Sequence, residues 1–202
     1  NYKDTILETI LPVTMDIETP LQNPSKSVVL VIDHSGSMSD LSGGKDNLEL
    51  AKEAAISTLD LLESSDQIGV VAFDDTYTWV VPLQKAADKD AIKSKIAGIS
   101  IGGGTSIYPA VNVAADTLIE DTSEIRHIIL LTDGQDGYTQ YEPLYTKLDS
   151  NYLTLSTVGV GASVDVNIMQ ELAYRGSGRY YESNSGTDIP KIFIEEMYLA
   201  SR

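Results

Sequence analysis

Apolar residues along this chain fall into two alternating spacings, and the alternation is regular enough to predict its elements. Val28 to Ile32 is a continuous apolar run, the pattern of a strand buried on both faces. A turn marked by Gly43 and Gly44 follows, and then Leu48, Ala51, Ala55, Leu59 and Leu62 recur at helical spacing. Gln67 to Phe73 predicts a second strand. Tyr77 to Val81 comes after Asp74, Asp75 and Thr76 alone, a link that closes a hairpin and is too short for a parallel crossover. A short amphipathic helix over Asp88 to Ile96 precedes Gly98 and the run Gly102, Gly103, Gly104. The next helix carries Ile107, Ala110, Val111, Ala114, Ala115 and Leu118 on one face. Arg126 to Thr132 is again a buried strand. A helix from Tyr141 to Leu148, a strand from Leu153 to Val160, a helix from Asp165 to Tyr174, a short strand from Arg179 to Glu182 and a last helix from Ile189 complete the series.

Strands alternating with helices predict an α/β fold: a doubly wound, mostly parallel central sheet with one antiparallel edge strand and helices on both faces. The chain has 202 residues, enough for one core, and residues 27–202 read as a single domain. Residues 1–26 read as an N-terminal extension. There Val13, Met15 and Ile17 alternate with Thr14, Asp16 and Glu18, which predicts an extra strand, and Pro20, Asn23, Pro24 and Ser25 read as a linker. The chain begins at Asn1 without methionine and ends at Arg202 after a helical pattern, as a fragment of a longer protein would. No apolar run approaches the roughly 20 residues that span a bilayer, so direct membrane insertion of this fragment is not expected.

Charge changes the picture in one respect. A formal net charge of −16 opposes any polyanion, so nucleic acid is not an expected partner, and the same field attracts cations. The absence of cysteine excludes disulfides, thiolate zinc sites and a cysteine nucleophile.

The candidate chemistry lies where apolar strands stop. Asp33, Ser35 and Ser37 follow the first strand at every second residue, and Asp133 follows the strand Arg126 to Thr132 in the same way. In a doubly wound sheet these two strands lie side by side where the winding reverses, and ligands bind at their carboxyl ends. The glycine-rich loop can bring Thr105 to the same crevice. Carboxylate and hydroxyl oxygens suit magnesium or manganese, with calcium less favoured, whereas zinc and copper prefer nitrogen or sulfur. The two histidines are not expected to be ligands, because His34 alternates away from the serines and His127 sits inside a strand. His34, Asp74, Gly104 and Gln135, with Asp75 and Asp136, are placed to form a ligand-binding rim. Tyr138, Tyr141 and Tyr145 are placed either to offer amphipathic contact surface or to cover a helix.

These residues resemble a von Willebrand factor type A domain with its metal-ion-dependent adhesion site. The DxSxS motif of that family matches Asp33, Ser35 and Ser37, its separate threonine matches Thr105 in GGGT, and its second aspartate matches Asp133 in TDG. The resemblance runs from about Ser27 to Ala200. It implies that the serines and the threonine contact the ion directly or nearly so, that the aspartates often act through water, and that a glutamate or aspartate of a partner protein completes the coordination. The implied function is an adhesion or assembly module. Bacterial membrane-anchored proteins often carry such domains, which implies an extracytoplasmic place in a membrane-associated protein.

Two other readings compete. A hydrolase would use Ser35 as nucleophile, but Asp33 and Ser37 stand where a GxSxG elbow needs glycines, and no histidine follows His127 to serve as base. A phosphoryl-transfer enzyme built on Asp33 would need a lysine at a strand end, and none is present. A purely structural module without metal is the third reading, opposed by the presence of all five oxygen donors.

Overall fold

The computed structural model describes residues 24–42, 44–138, 140–161, 163–184 and 186–200. The strand expected over Val13 to Ile17 lies outside them. In chain order the strands are β1 (Lys26–Asp33), β2 (Leu41–Ser42), β3 (Lys45–Asp46), β4 (Gln67–Phe73), β5 (Tyr77–Lys85), β6 (Ile125–Thr132), β7 (Thr154–Val160) and β8 (Ser177–Ser183). The helices are α1 (Asn47–Leu61), α2 (Lys89–Ala97), α3 (Ile107–Ile119), α4 (Glu142–Ser150), α5 (Val166–Arg175) and α6 (Ile189–Ala200).

The central sheet has the order β5-β4-β1-β6-β7-β8, with β5 antiparallel to β4 and every other pair parallel. β1 is buried from Ser27 onward because strands flank it on both sides and helices cover both faces. Its alternation sorts the core. Val28, Leu30 and Ile32 pack with α1, α2 and α6, while Val29 and Val31 pack with α3, α4 and α5. Each fully buried leucine or isoleucine contributes about 2–3 kcal/mol, so a slip by one residue would be strongly disfavoured.

Local chemistry sets the helix starts. Asp46, Asp88 and Asp165 each accept a backbone N–H of the first turn, from Glu49, Ala91 and Ile168. The edge strand β5 runs further than the sequence suggests, so a lysine, Lys85, does end a strand, but opposite Gln67 at the far end of the sheet from Asp33; β5 tolerates Pro82 because an edge strand leaves one side of its ladder free. Pairing of β4 with β5 shifts register near Gly69, where a β-carbon would sit 2.8 Å from the Trp79 ring. The hairpin of β2 and β3 was not apparent from periodicity. Its Gly44 has φ +90°, a conformation that favours glycine.

The topology positions the site. β1 leads through α1 to β4 on one side, and β6, on the other side of β1, leads away to β7 and β8. Ile32 pairs with Leu131, so Asp33 and Thr132 come next across the same gap, with Asp133 one step beyond.

Candidate metal centre

Asp33, the last residue of β1, has no exposed surface. Its Oδ1 accepts the Ser35 backbone N–H at 2.8 Å, and its Oδ2 accepts the Thr132 hydroxyl at 2.5 Å. Gly36–Ser39 forms a single 3-10 turn anchored in the core by the fully buried Met38. That turn brings the Ser35 and Ser37 hydroxyl oxygens to 3.2 Å from each other, and the Ser37 hydroxyl donates to Asp133 Oδ1 at 2.7 Å. Asp33, Ser35, Ser37 and Asp133 are therefore joined in one hydrogen-bonded chain spanning the ends of β1 and β6, its first link made through the Ser35 backbone N–H.

Thr105 arrives on the glycine-rich loop, which is bonded to the serine loop. The Gly36 N–H donates to Gly103 O at 2.9 Å and the Gly102 N–H to His34 O at 2.7 Å. Asp74 and Asp75 hold the same loop from the other side, accepting the N–H groups of Gly103 and Gly104 at 3.0 Å each. Thr105 lies against Gly134, the neighbour of Asp133: a β-carbon there would fall 2.8 Å from Thr105 Oγ1. The start of α3 is fixed by Asp136, whose Oδ2 accepts the N–H groups of Ile107 at 3.0 Å and Tyr108 at 3.3 Å. A carboxylate at that end also complements the helix dipole.

The structure thus links Asp33, Ser35, Ser37 and Asp133 by hydrogen bonds at the ends of β1 and β6, and sets Thr105 against Gly134, next to Asp133. Of the rim residues, Asp74 and Gly104 belong to the loop fastening, and the His34 ring bonds through Nδ1 to Ser100 O at 2.8 Å. Gln135 is exposed. Sequence reasoning missed Thr132 and Asn47. Thr132 also accepts the Gly134 N–H at 3.1 Å and so links both strand ends; the Asn47 side chain, at the start of α1, bonds the Asp133 carboxylate. Thr132 was visible as a hydroxyl beside Asp33 in register. Asn47 depends on the unanticipated hairpin that delivers it.

Burial pushes both aspartates up. For Asp33, desolvation outweighs the hydrogen bonds from Ser35 and Thr132. For Asp133, desolvation combines with the nearby charges of Asp33 and Asp40 against hydrogen bonds from Ser37 and Asn47, raising it to about 6. No lysine or arginine pairs with either carboxylate among the described residues. Two buried carboxylates pressed together without a cationic side chain are the condition that a divalent cation relieves. Among the described residues no three acidic, histidine or cysteine side chains converge on a metal, so hydroxyls must complete any donor set here. An all-oxygen set of this kind fits a hard cation.

Comparison with known proteins agrees with the fold. The family model described as von Willebrand factor type A domain matches residues 27–195. An uncharacterized protein of Synechocystis is 30% identical over 165 residues, covering 79% of this chain and 38% of that protein. The chain thus spans well under half the length of that relative. Among solved structures, a von Willebrand factor type A protein from Catenulispora acidiphila superposes with a TM-score of 0.76 at 24% identity, covering 88% of this chain and 43% of that one. Proximal thread matrix protein 1 of the mussel byssus, in a form with a zinc-occupied MIDAS motif, gives 0.75 at 23% identity over 89% of this chain and 46% of that one. At such identities both likenesses are of fold.

Proposed function

Because the chain belongs to the von Willebrand factor type A domain family, we propose that it is a divalent-cation-dependent protein interaction module whose ion receives an acidic side chain from a partner. Domains of this family often mediate protein–protein interaction, and in some members a metal-binding site takes part. Here Asp33, Ser35, Ser37, Thr105 and Asp133 hold the ion, with Thr132 and Asn47 orienting the two carboxylates. The carrying observation is the unbroken hydrogen-bonded chain from Asp33 to Asp133, without a cationic side chain among the described residues to neutralise its two carboxylates. Magnesium or manganese suits these donors best, although the mussel protein carries zinc in its motif. The ion supplies a local positive charge, which lets an acidic group approach a chain of net charge −16.

The enzyme readings lack a base. His34 is tied to Ser100 O, and His127 pairs in register with Val28, toward the opposite end of β1 from Ser35. Neither is placed to take a proton from the Ser35 hydroxyl. We place the domain within a longer, membrane-associated bacterial protein, displayed outside the cytoplasm. No helix among the described residues is long and apolar enough to cross a membrane.

The test is a thermal melt of EDTA-treated protein titrated with magnesium, manganese, calcium and zinc, in the wild type, Asp33→Ala and Ser37→Ala. The reading expects a saturable rise in Tm with magnesium or manganese that both variants lose, together with cation-dependent binding of an acidic peptide. Equal rises in all three proteins would overturn it, as would esterase or phosphatase turnover that Ser35→Ala abolishes.

A further inference from the structure

Between the start of α4 and α5 lies a cavity of about 210 Å³ lined by Tyr138, Tyr141, Glu142, Tyr145, Ile168 and Glu171. Its wall is aromatic. Tyr138 and Tyr141 meet edge to face with ring centroids 5.3 Å apart, and Tyr141 and Tyr145 stack at 6.1 Å with 22° between planes. Tyr141 and Tyr145 are almost wholly buried, 4% and 5% exposed, so packing fixes the rings in place.

Charge at the cavity is negative. Glu142 bonds Arg175 at 2.7 Å, but Glu171 makes no ion pair or hydrogen bond among the described residues. The ring of Tyr138, the least buried of the three, and an unpaired carboxylate together favour a cation with an apolar stem, because ring quadrupole and carboxylate both attract positive charge while the aromatic wall covers methylenes. The molecule already shows this preference. The Arg175 guanidinium lies 4.7 Å from the centroid of Tyr145, and Arg175 does not line the cavity.

The cavity wall is hydrogen-bonded, through Asp136, to the segment that carries Thr105. Asp136 accepts the Tyr141 hydroxyl at 2.7 Å with the same oxygen that holds the first turn of α3, just after Thr105. Tyr138 and Asp133 share one loop, the segment between β6 and α4. The cavity and the proposed ion site thus share the segment between β6 and α4 and the Asp136 carboxylate.

We propose that this cavity receives the lysine or arginine side chain of the partner whose acidic residue meets the ion, so that the domain recognises an acid and a base together. The acidic half rests on the function proposed above; the basic half does not, and the experiment separates them. Protein labelled at tyrosine rings and isoleucine methyls is titrated in EDTA with the blocked single residues N-acetyl-lysine amide and N-acetyl-arginine amide, with choline as control, and followed by NMR. Saturable shifts at Tyr138, Tyr145 and Ile168 are expected with the basic amides, in about the millimolar range for a single side chain. Glu171→Gln, at an exposed position that should not disturb the fold, is expected to weaken them about fivefold or more with an unchanged Tm. A peptide holding both an acid and a lysine should bind more tightly in magnesium than in EDTA, while its lysine-dependent shifts persist in EDTA. Shifts that persist in EDTA without any gain from magnesium would leave the cavity standing and remove the ion reading. Absent shifts, shifts indifferent to Glu171→Gln, or saturation by choline and not by the amides would overturn the cavity assignment.

Discussion

Glu196 on α6 is fully buried, and its Oε1 lies 3.2 Å from His127 Nε2 on β6. The same carboxylate accepts the Ser156 hydroxyl at 2.7 Å and the Tyr181 hydroxyl at 2.6 Å, and Arg179 Nη1 lies 3.2 Å away. One side chain thus ties the last helix to β6, β7 and β8. Burial would push the carboxyl up, but the close approach of His127 and hydrogen bonds from Tyr181 and Ser156 outweigh it and hold the group below its ordinary value.

The sign of the pH dependence follows. A carboxyl depressed in the folded state adds stability above the ordinary glutamate range, and that stability is lost as pH falls through it. Glu196→Gln is therefore expected to cost about 3 kcal/mol at pH 7, with a wild-type advantage that shrinks below about pH 4. Urea unfolding of both proteins from pH 3 to pH 8 reads this. A constant difference across the range would mean that packing of α6, and not the charge, carries the effect.

Gly134 offers a test of Thr105 that substitutes none of the proposed ligands. A β-carbon at Gly134 would meet Thr105 Oγ1 at 2.8 Å and Cγ2 at 3.3 Å, whereas one at Gly137 would meet nothing within 4 Å. The obstacle is a side chain, so the threonine swings while the backbone holds. Gly134→Ala is expected to weaken magnesium binding about tenfold with little change in stability, the scale of other disturbances behind a metal ligand. Gly137→Ala is expected to bind as wild type. Isothermal titration of both variants decides, and wild-type affinity in Gly134→Ala would remove Thr105 from the donor set.

Asp136 carries three donors on one oxygen: the N–H groups of Ile107 and Tyr108 and the hydroxyl of the buried Tyr141. Asp136→Ala leaves them without that partner and is expected to cost about 2–3 kcal/mol. Tyr141→Phe should cost less in that background than in the wild type, because its hydrogen bond is already gone. A double-mutant cycle in urea measures the coupling, expected at about 1 kcal/mol. Additive costs would show that the hydroxyl is satisfied elsewhere.

The sheet was legible because its central strands are continuous apolar runs and its one antiparallel turn is too short to be anything else. Asp33 and Asp133 were legible for a related reason, since a charge ending such a run must sit at a strand end, where open sheets bind ligands. What sequence concealed depends on contacts between distant segments. The two-residue strands β2 and β3 are too short to carry periodicity. Glu196, beside Glu195 in an amphipathic helix, reads as a solvated acid until β6, β7 and β8 close around it. Asp74 and Asp75 read as a polar rim, although their carboxylates bond backbone 29 residues away.

That last contact gives a prediction about motion. The glycine loop has few side chains of its own, so its order depends on bonds made to it from outside. On one side it is joined to the serine loop through Gly36, Gly102 and Gly103; on the other, the Asp74 and Asp75 carboxylates accept the N–H groups of Gly103 and Gly104. Backbone hydrogen bonds from Thr76 and Gly103 hold the Asp74 carboxyl below its usual range, so it is ionised and accepting at neutral pH. In the Asp74→Ala, Asp75→Ala double variant, the Gly103 and Gly104 amides are expected to exchange about fivefold to tenfold faster, while the Gly102 amide, bonded to His34 O, keeps its protection. Because Thr105 follows directly, magnesium affinity should fall in step with the lost protection. Hydrogen exchange and titration on the same sample separate the outcomes. Faster exchange with unchanged affinity would mean that Asp136, from the far side of Thr105, is enough to place the threonine; unchanged exchange would mean that the serine loop alone orders the glycines.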